Sequence, residues 1–486
     1  MPKKIIFCSD GTWNHPQQSK PDPIRPKLNT NVAKLADQAR LDGTVDPGCF
    51  PNTPTQTVIY DDGVGVEFPE FLGGAFGVGL FGKIKQAYAQ IAEVYEQGDR
   101  LFLFGFSRGA YTARAFAGLL SLIGLPTTLP GADRKAAARE AAEKAFFAYF
   151  DQINRKHLVD AMASYQLEIP TIAMQGMWDT VGSLGFTGAL FGWKDPAVYG
   201  FLDTDLHPNT EAAFHAMAID EHRGEFAMTP WPGTARAGQV LKQVWFAGVH
   251  SEVGGSAPAV GLSDITLGWM LRNAEACGAE LSPVADPYRN QDPQKALDPS
   301  TDSFNPLWVV SRRRPIPSDA TIANSVVICL ENDLTYNPSN LSLDGNRNLA
   351  PGYTLETVIA PLAAGGIVIP SNSVQFDTGF DLVAGKQYRF VATGEWIDKA
   401  PPPVGPAGVV DPGGIRHLMD HLKRVPLAPW MALLGRVGTG AWFVIGDDPR
   451  PRTLPAGRLY CCANDVPAFY SIIAAVCSYT SSRFDS

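Results

Sequence analysis

The sequence has few of the features that mark nucleic-acid-binding, membrane-spanning or disulfide-stabilised proteins. Basic residues number 40 against 49 acidic residues, and the net charge of −9 argues against a nucleic-acid partner, because phosphate contacts need a basic face. No apolar run approaches the roughly 18 residues of a spanning helix. The cysteines number 7, an odd count, and lack C-x-x-C spacing, so we expect neither a disulfide framework nor a zinc site.

The first residues do not have the pattern of a secretory leader. Met1 to Lys4 run directly into the apolar stretch Ile5 to Cys8, which is too short for the apolar core of a signal peptide. We therefore expect the protein to be cytoplasmic as synthesised, with any export using a machine that needs no cleavable signal. With 45% hydrophobic and 18% charged residues, the composition is typical of a globular protein rich in buried sheet.

Short apolar runs alternate with helical patterns up to about residue 345, which predicts a parallel sheet with crossover helices. Four runs of strand length end at a polar or glycine-containing turn: Ile5–Ser9, Arg100–Phe106, Thr171–Trp178 and Gln243–Val249. Ligand sites of open α/β sheets lie beyond the carboxyl ends of the strands. The residues that follow these runs are therefore the candidates for a functional site.

The second run ends in a pentapeptide with the spacing of a nucleophile elbow. Gly105 and Gly109 flank Ser107 at two residues on either side, in the pattern G-x-S-x-G. Glycine at these positions lets the backbone turn tightly enough to present the serine hydroxyl between a strand and a helix. The apolar run before Ser107 and the helical pattern of Ala110–Ile123 after it supply that context. We predict that Ser107 is a nucleophile.

A serine hydroxyl needs a general base, and an imidazole has a suitable pKa near neutral pH. His250 follows a buried run and opens a glycine-rich loop, so it is the predicted base. His215 and His222 lie in a segment with a helix-like pattern and are interpreted as surface or capping groups. Asp179 ends the third run and is predicted to orient the imidazole, which gives the chain order Ser, Asp, His of α/β-hydrolases.

The first run ends at Asp10-Gly11-Thr12, which offers further candidates. The backbone N–H groups of Gly11 and Thr12, with that of Arg108 directly after the nucleophile, are predicted to form an oxyanion hole. Asp10 is a rival for the orienting acid or a supporting residue, and capping of the turn that it begins is an equally good interpretation.

These patterns predict two domains. Residues 1–345 are expected to form an α/β-hydrolase fold with a mostly parallel sheet and helical insertions, the largest of them at Asp133–Met162. Residues 346–486 lose helical periodicity and are expected to form an all-β, antiparallel sandwich. Its predicted strands include Gln387–Thr393, Trp430–Val437 and Arg458–Cys462.

The first domain resembles a bacterial family of α/β hydrolases that includes the type VI secretion phospholipase effectors. The resemblance rests on five motifs: Cys8 to Asn14, Gly105 to Arg114, Trp178 to Ser183, Ile219 to Arg223, and Trp245 to Gly255. It implies a triad of Ser107, Asp179 and His250, and a phospholipase A-like activity on an ester or phospholipid substrate. No metal or cofactor is implied. It also implies contact with a membrane surface, a secretion machine or an immunity protein.

Two apolar segments give independent support for a lipid-like substrate. Phe71–Phe81 and Phe186–Phe201 are rich in aromatic residues and would line an apolar entrance, although ordinary loop packing explains them equally well.

The second domain resembles, more faintly, small calcium-dependent galactose-binding bacterial lectins. Asp465 matches a ligand position, whereas Phe469 and the Ile472-Ile473 pair replace polar ligands, and calcium needs six or more oxygens. A docking or oligomerisation module is therefore expected. One alternative function is a catalytically idle scaffold whose sandwich binds a glycan or protein partner. Another is a metal-dependent hydrolase that uses Asp10 and His250.

Overall fold

The computed structural model describes most of the chain, in segments separated by gaps. The described residues are 2–11, 29–36, 38–39, 45–62, 75–182, 203–289, 293–297, 312–333, 335–359, 369, 373–385, 387–388, 390, 392, 404–410, 419–448, 450 and 452–466. The chain divides into two compact units. The first comprises residues 1–291, 300–323 and 351–359, and the second comprises residues 292–299, 324–350 and 360–486.

A sheet of 8 strands forms the centre of the first unit. Its strands, in chain order, are β1 (Lys4–Ser9), β2 (Gln56–Asp61), β3 (Arg100–Phe106), β4 (Thr171–Trp178), β5 (Ala212–Ala218), β6 (Val240–Phe246), β7 (Thr321–Ala323) and β8 (Thr354–Glu356). The spatial order is β2-β1-β3-β4-β5-β6-β7-β8. Every pairing between these strands is parallel, as the sequence predicted.

Helices cover both faces of this sheet. In chain order they are α1 (Asn31–Leu35), α2 (Ala75–Val94), α3 (Arg108–Ile123), α4 (Arg134–Phe150), α5 (Arg155–Asp160), α6 (His250–Gly254), α7 (Gly261–Ala276) and α8 (Asp286–Arg289). The helices α2, α3 and α4 share one apolar core with alternate residues of β1 and β3, including Phe7 and Leu103. On the opposite face, α7 places Trp269 against Phe214 of β5 and Phe246 of β6.

The predicted helical insertion is confirmed as α4 and α5. Helix α4 buries a row of alanines, Ala138, Ala141, Ala142, Ala145 and Ala148, in the core that it shares with α2 and α3. Small side chains at this spacing let the helix backbone approach its neighbours closely. Thus α4 extends the helical layer on that face of the sheet.

The structure adds strands that sequence reasoning did not identify. Strand β5 contains His215, which was expected in a helix-like surface segment, and that interpretation is wrong: all 7 residues of the strand are buried. A strand enclosed by helices on both faces has no polar-apolar alternation to show its period. Strand β8 lies beyond residue 345 yet pairs with β7, so a single cut at 345 does not coincide with the division into units.

The second unit contains helix α9 (Asn324–Asn332) and a sheet of 4 antiparallel strands. The strands are β9 (Phe376–Leu382), β10 (Leu433–Val437), β11 (Phe443–Val444) and β12 (Gly457–Ala463), in the spatial order β9-β12-β10-β11. Gln387–Tyr388 pairs separately with Arg452–Thr453. The β-rich C-terminal domain is confirmed, whereas the lectin-like sandwich stays a prediction.

Two-residue pairs and short turns complete the described chain. Gln38–Ala39 pairs with Val45–Asp46, and Leu125–Pro126 pairs with Leu167–Glu168. Short 3₁₀ turns lie at Ala163–Tyr165, Gly224–Phe226, Pro283–Ala285, Pro293–Leu297 and Asp420–Leu422. Within the described ranges, no helix combines the length and the apolar character needed to cross a bilayer.

Candidate active site

The direction in which the strands are added reverses at one point of the sheet. Strands β2 and β3 lie on opposite sides of β1, so the connections from β1 and β3 leave in opposite directions. Gly109, in the first turn of α3, packs directly on the backbone at the end of β1, where a Cβ would collide with the carbonyl oxygen of Ser9. The elbow after β3 and the loop after β1 are therefore in contact.

Ser107 occupies a strained turn between β3 and α3. Its φ of 58° and ψ of −123° lie where residues other than glycine are rarely found. The backbone N–H of Ser107 donates to the Trp178 carbonyl at 3.0 Å, which joins the elbow to the end of β4. The residue is 8% exposed. Such strain persists where the surrounding structure enforces it, and it is concentrated at functional sites.

Asp179 follows β4 and is fully buried. Its φ is 41°, a second strained residue at the same edge of the sheet. The carboxylate accepts hydrogen bonds from the Ala218 N–H at 3.0 Å, from His250 Nδ1 at 2.5 Å and from the two terminal nitrogens of Arg314 at 2.5 and 2.9 Å. Burial opposes ionisation of Asp179, but the Arg314 charge and the His250 hydrogen bond hold the pKa of Asp179 well below its usual range.

His250 begins helix α6 and lies between two aromatic rings. Its ring centroid is 4.6 Å from that of Phe106, which precedes Ser107, and 4.8 Å from that of Phe226. With Nδ1 held by Asp179, Nε2 is the ring nitrogen left to accept a proton. Burial lowers the pKa of His250 below its usual 6.5, against the opposing effect of Asp179. The imidazole is therefore neutral at neutral pH.

Three carboxylates fix the backbone that carries His250. Asp220 accepts the Gly248 N–H at 2.6 Å, Glu252 accepts the Val249 N–H at 2.9 Å, and Glu221 accepts the His250 N–H at 3.3 Å. Each of these successive amides is thus bonded to an acidic side chain.

Glu221 is itself held in place by a neighbouring cation. Burial opposes ionisation of Glu221, but two hydrogen bonds from the Arg223 guanidinium, at 2.9 and 2.7 Å, keep its pKa lowered. The Arg223 guanidinium also lies 3.7 Å from the centre of the Phe226 ring, the same ring that contacts His250. The motif Ile219 to Arg223 therefore holds the His250 backbone through Glu221, and through Arg223 it contacts the aromatic ring that packs on the imidazole.

Arg314 was missed by sequence reasoning. It lies in the run Arg312-Arg313-Arg314-Pro315. Arg312 and Arg313 are exposed, whereas Arg314 is buried. A run of basic residues is usually a solvated surface. The one available signal was the proline that follows, which favours extended backbone at Arg314.

The loop after β1 differs from the predicted oxyanion hole. The Gly11 N–H donates to Asp10 Oδ1 at 2.7 Å, so this amide is engaged by the adjacent carboxylate rather than directed to an empty site. Thr12 lies outside the described residues. The Arg108 N–H is at the first residue of α3, among the four N–H groups that have no acceptor within a helix.

Asp10 stabilises this turn. Its Oδ2 accepts hydrogen bonds from the hydroxyls of Thr30 at 2.6 Å and Tyr60 at 2.8 Å. The imidazole Nδ1 bonds to Asp179, so the structure brings together the acid and base predicted from chain order and gives Asp10 the turn-capping interactions. In the described part of the chain, no group of three His, Cys, Asp or Glu side chains is placed to hold a metal ion.

His215 lies behind Asp179 and binds the next residue of the loop. Its Nε2 accepts the Thr180 N–H at 3.1 Å. Burial lowers the pKa of His215 to about 3, so the ring is neutral and can accept this bond. His215 therefore fixes the turn that carries Asp179.

Comparison with known proteins identifies similar chains. Residues 3–273 match the family model for the catalytic domain of Tle1-like phospholipase effectors of the type VI secretion system. The uncharacterized protein YEL023C of Saccharomyces cerevisiae is 29% identical over 248 residues, which represent 47% of this chain and 33% of that protein.

Two solved structures are also similar in part. An uncharacterized protein from Pseudomonas aeruginosa matches 62% of this chain and 49% of its own, at 18% identity and a TM-score of 0.35. The Tle1 effector bound to the VgrG spike of the type VI secretion system matches 53% of this chain and 52% of its own, at 17% identity and a TM-score of 0.29. The present chain thus spans about a third of the yeast protein and about half of each solved chain.

Proposed function

Because the chain belongs to the family of type VI secretion Tle1-like phospholipase effectors, we propose that it hydrolyses a carboxylic ester of a lipid, with Ser107 as nucleophile, His250 as general base and Asp179 as the orienting acid. The observation that carries the proposal is the hydrogen bond between buried Asp179 and His250, next to a serine elbow at the switch point of the sheet. An acid bonded to the base beside a serine elbow supports acyl transfer through serine, and the proposal adds the proton transfer from the Ser107 hydroxyl to His250 Nε2.

The proposed reaction has two halves. His250 Nε2 removes the proton of the Ser107 hydroxyl as its oxygen attacks the acyl carbonyl carbon, and the imidazolium then protonates the departing alcohol. A water molecule, deprotonated by His250, then attacks the acyl carbonyl carbon of the acyl-enzyme. The imidazolium returns that proton to the departing Ser107 oxygen as the fatty acid is released. The Arg108 N–H supplies one oxyanion donor. The Gly11 N–H becomes a second donor only if its bond to Asp10 is exchanged for one to substrate, and Thr12 is the other candidate.

A fluorophosphonate probe tests the nucleophile. We expect one labelled serine, Ser107, with labelling abolished in Ser107→Ala and after heat denaturation. Ser121→Ala is a matched control. The Ser121 hydroxyl, in α3, is hydrogen-bonded to the Ala117 carbonyl and to the Asn209 side chain, so it should not react with the probe. Labelling that is absent in folded wild-type protein would favour the idle scaffold. Chelator-sensitive hydrolysis that survives Ser107→Ala would instead favour the metal-dependent hydrolase.

The substrate class is tested separately from the nucleophile. We propose a glycerophospholipid acyl ester, on the strength of the family match. Of the two segments expected to form an apolar entrance, Phe186–Phe201 lies outside the described residues. In Phe71–Phe81, residues 75–81 begin helix α2, and the Phe81 ring packs against Phe146 of α4. A panel of phospholipids and simple esters, with products identified by mass spectrometry, separates a phospholipase A from a general esterase: lysophospholipid plus fatty acid is the expected product pair.

The same family membership supports a proposal about delivery and partners. We propose that the protein is a cargo of a type VI secretion machine, that it works at a membrane surface and that an immunity protein restrains it. Co-purification of the full chain with a spike protein from the same genome tests the first point. Sedimentation with anionic vesicles tests the second, and capture of the product of a neighbouring reading frame tests the third.

A further inference from the structure

Arg314 binds three separate segments of the candidate site. Besides its two bonds to the Asp179 carboxylate, its Nη1 donates to the Ala218 carbonyl at 3.0 Å and its Nη2 donates to the Phe226 carbonyl at 2.7 Å. The residue is 6% exposed. One planar guanidinium thus joins the turn after β4, the end of β5 and the 3₁₀ turn whose aromatic ring packs on His250.

We propose that Arg314 is a positioning residue that extends the triad to the series Arg314–Asp179–His250–Ser107. The proposal rests on the proposed function. A forked guanidinium fixes the rotation of a carboxylate because both N–H···O contacts must be made at once. Asp179 then presents Oδ2 to His250 Nδ1 in a single orientation, and the imidazole plane follows.

The guanidinium also sets the charge that the imidazole experiences. The charged groups nearest His250 come from several elements. Asp179 follows β4, Glu221 follows β5, and Arg314 lies against Asp179. Glu252 is on the same helix as His250, and Arg223 is paired with Glu221. The two nearby carboxylates favour the imidazolium, and Arg314 opposes them. Loss of the guanidinium therefore raises the pKa of His250. Since only the neutral ring is a base, the acid limb of activity should move to higher pH.

The test compares four forms of the full chain: wild type, Arg314→Gln, Arg314→Lys and the matched control Arg313→Gln. Arg313 is exposed and adjacent in sequence. The pKa of His250 is measured by NMR of [¹⁵N]histidine protein, with the His250 signal assigned by its loss in His250→Gln. The values of kcat and KM for a chromogenic ester are measured across pH in parallel.

We expect Arg314→Gln to raise the pKa of His250 by about one unit and to move the acid limb in the same direction. Its kcat should fall by about 10- to 100-fold with little change in KM, as expected when an interaction supports the transition state alone. Arg314→Lys retains the charge but not the fork, so it should lower kcat while leaving the pKa of His250 near the wild-type value. Arg313→Gln should match wild type in every measurement.

Two results would overturn the proposal. One is folded Arg314→Gln whose His250 titrates as in wild type. The other, decisive if Arg314→Gln does not fold, is Arg314→Lys with wild-type kcat. A purely structural role would lower the melting temperature without moving the pKa of His250. Wild-type protein that neither hydrolyses esters nor labels at Ser107 would refute the proposed function, and the NMR titration would still decide the role of Arg314.

Discussion

Replacing Asp179 by asparagine should disable the site and destabilise the first unit for the same reason. In the wild type, Oδ1 accepts from the Ala218 N–H and Arg314 Nη1, and Oδ2 accepts from His250 Nδ1 and Arg314 Nη2. An asparagine amide has one acceptor oxygen and one donor nitrogen. Whichever way the amide is turned, two of these four contacts become donor against donor.

The two consequences have separate magnitudes. If the amide nitrogen faces His250, the imidazole must take the other tautomer, and kcat should fall by about 10⁴-fold, as for loss of the acid in such a triad. The buried Arg314 charge loses its counter-ion in either orientation, which should cost about 3 kcal/mol of unfolding free energy. KM should change little, because the carboxylate does not touch the substrate.

Ester hydrolysis and urea denaturation measure the two effects. A control, Asp160→Asn, removes an exposed aspartate paired with exposed Lys156, and such a pair contributes at most about 1 kcal/mol. The double variant Asp179→Asn/Arg314→Met removes both buried charges, so it should recover stability without recovering kcat. Folded Asp179→Asn that retains kcat within about tenfold of wild type would refute this role of the carboxylate.

Three further perturbations have defined outcomes. Gly109→Ala should push the elbow off the end of β1, lower the free energy of unfolding by about 2 kcal/mol and lower kcat. The control is Gly82→Ala in α2, where a Cβ meets nothing within 4 Å, and it should be neutral or stabilising. Equal melting temperatures for the two variants would contradict the packing of Gly109 on β1. His215 is neutral in the folded protein and protonates in the unfolded chain, so the free energy of unfolding should fall by about 1 kcal/mol per pH unit between pH 6.5 and 3. His215→Gln should flatten that slope in acid denaturation. An unchanged slope would contradict the burial of a neutral His215. Glu221→Gln weakens the hydrogen bond to the His250 N–H and removes a charge that favours the imidazolium. NMR titration should therefore show a lower pKa of His250. A higher pKa would contradict the placement of the Glu221 carboxylate near the imidazole.

Local sequence was sufficient for the elements that carry the site. The apolar runs ending at Ser9, Phe106 and Trp178 appear as β1, β3 and β4, because a strand buried on both faces needs a continuous run of apolar residues. The glycine spacing around Ser107 identified the strained turn, since few other residues allow the elbow. The strands β7 and β8 lie at one end of the sheet and have 3 residues each, so they are too short to leave such a pattern.

The contacts within the site were decided by the tertiary structure alone. Asp179 lies 71 positions from His250 and 135 from Arg314, and no periodic pattern links residues so far apart. Whether an arginine is solvated or buried against a carboxylate depends on which strand ends the fold brings together. The Gly11 amide, predicted to face substrate, is bonded to Asp10 for a similar reason: competition between nearby acceptors is settled by distances that only the folded backbone fixes. The sequence determined which strand ends carry reactive groups, and the packing of those strands determined which groups bind one another.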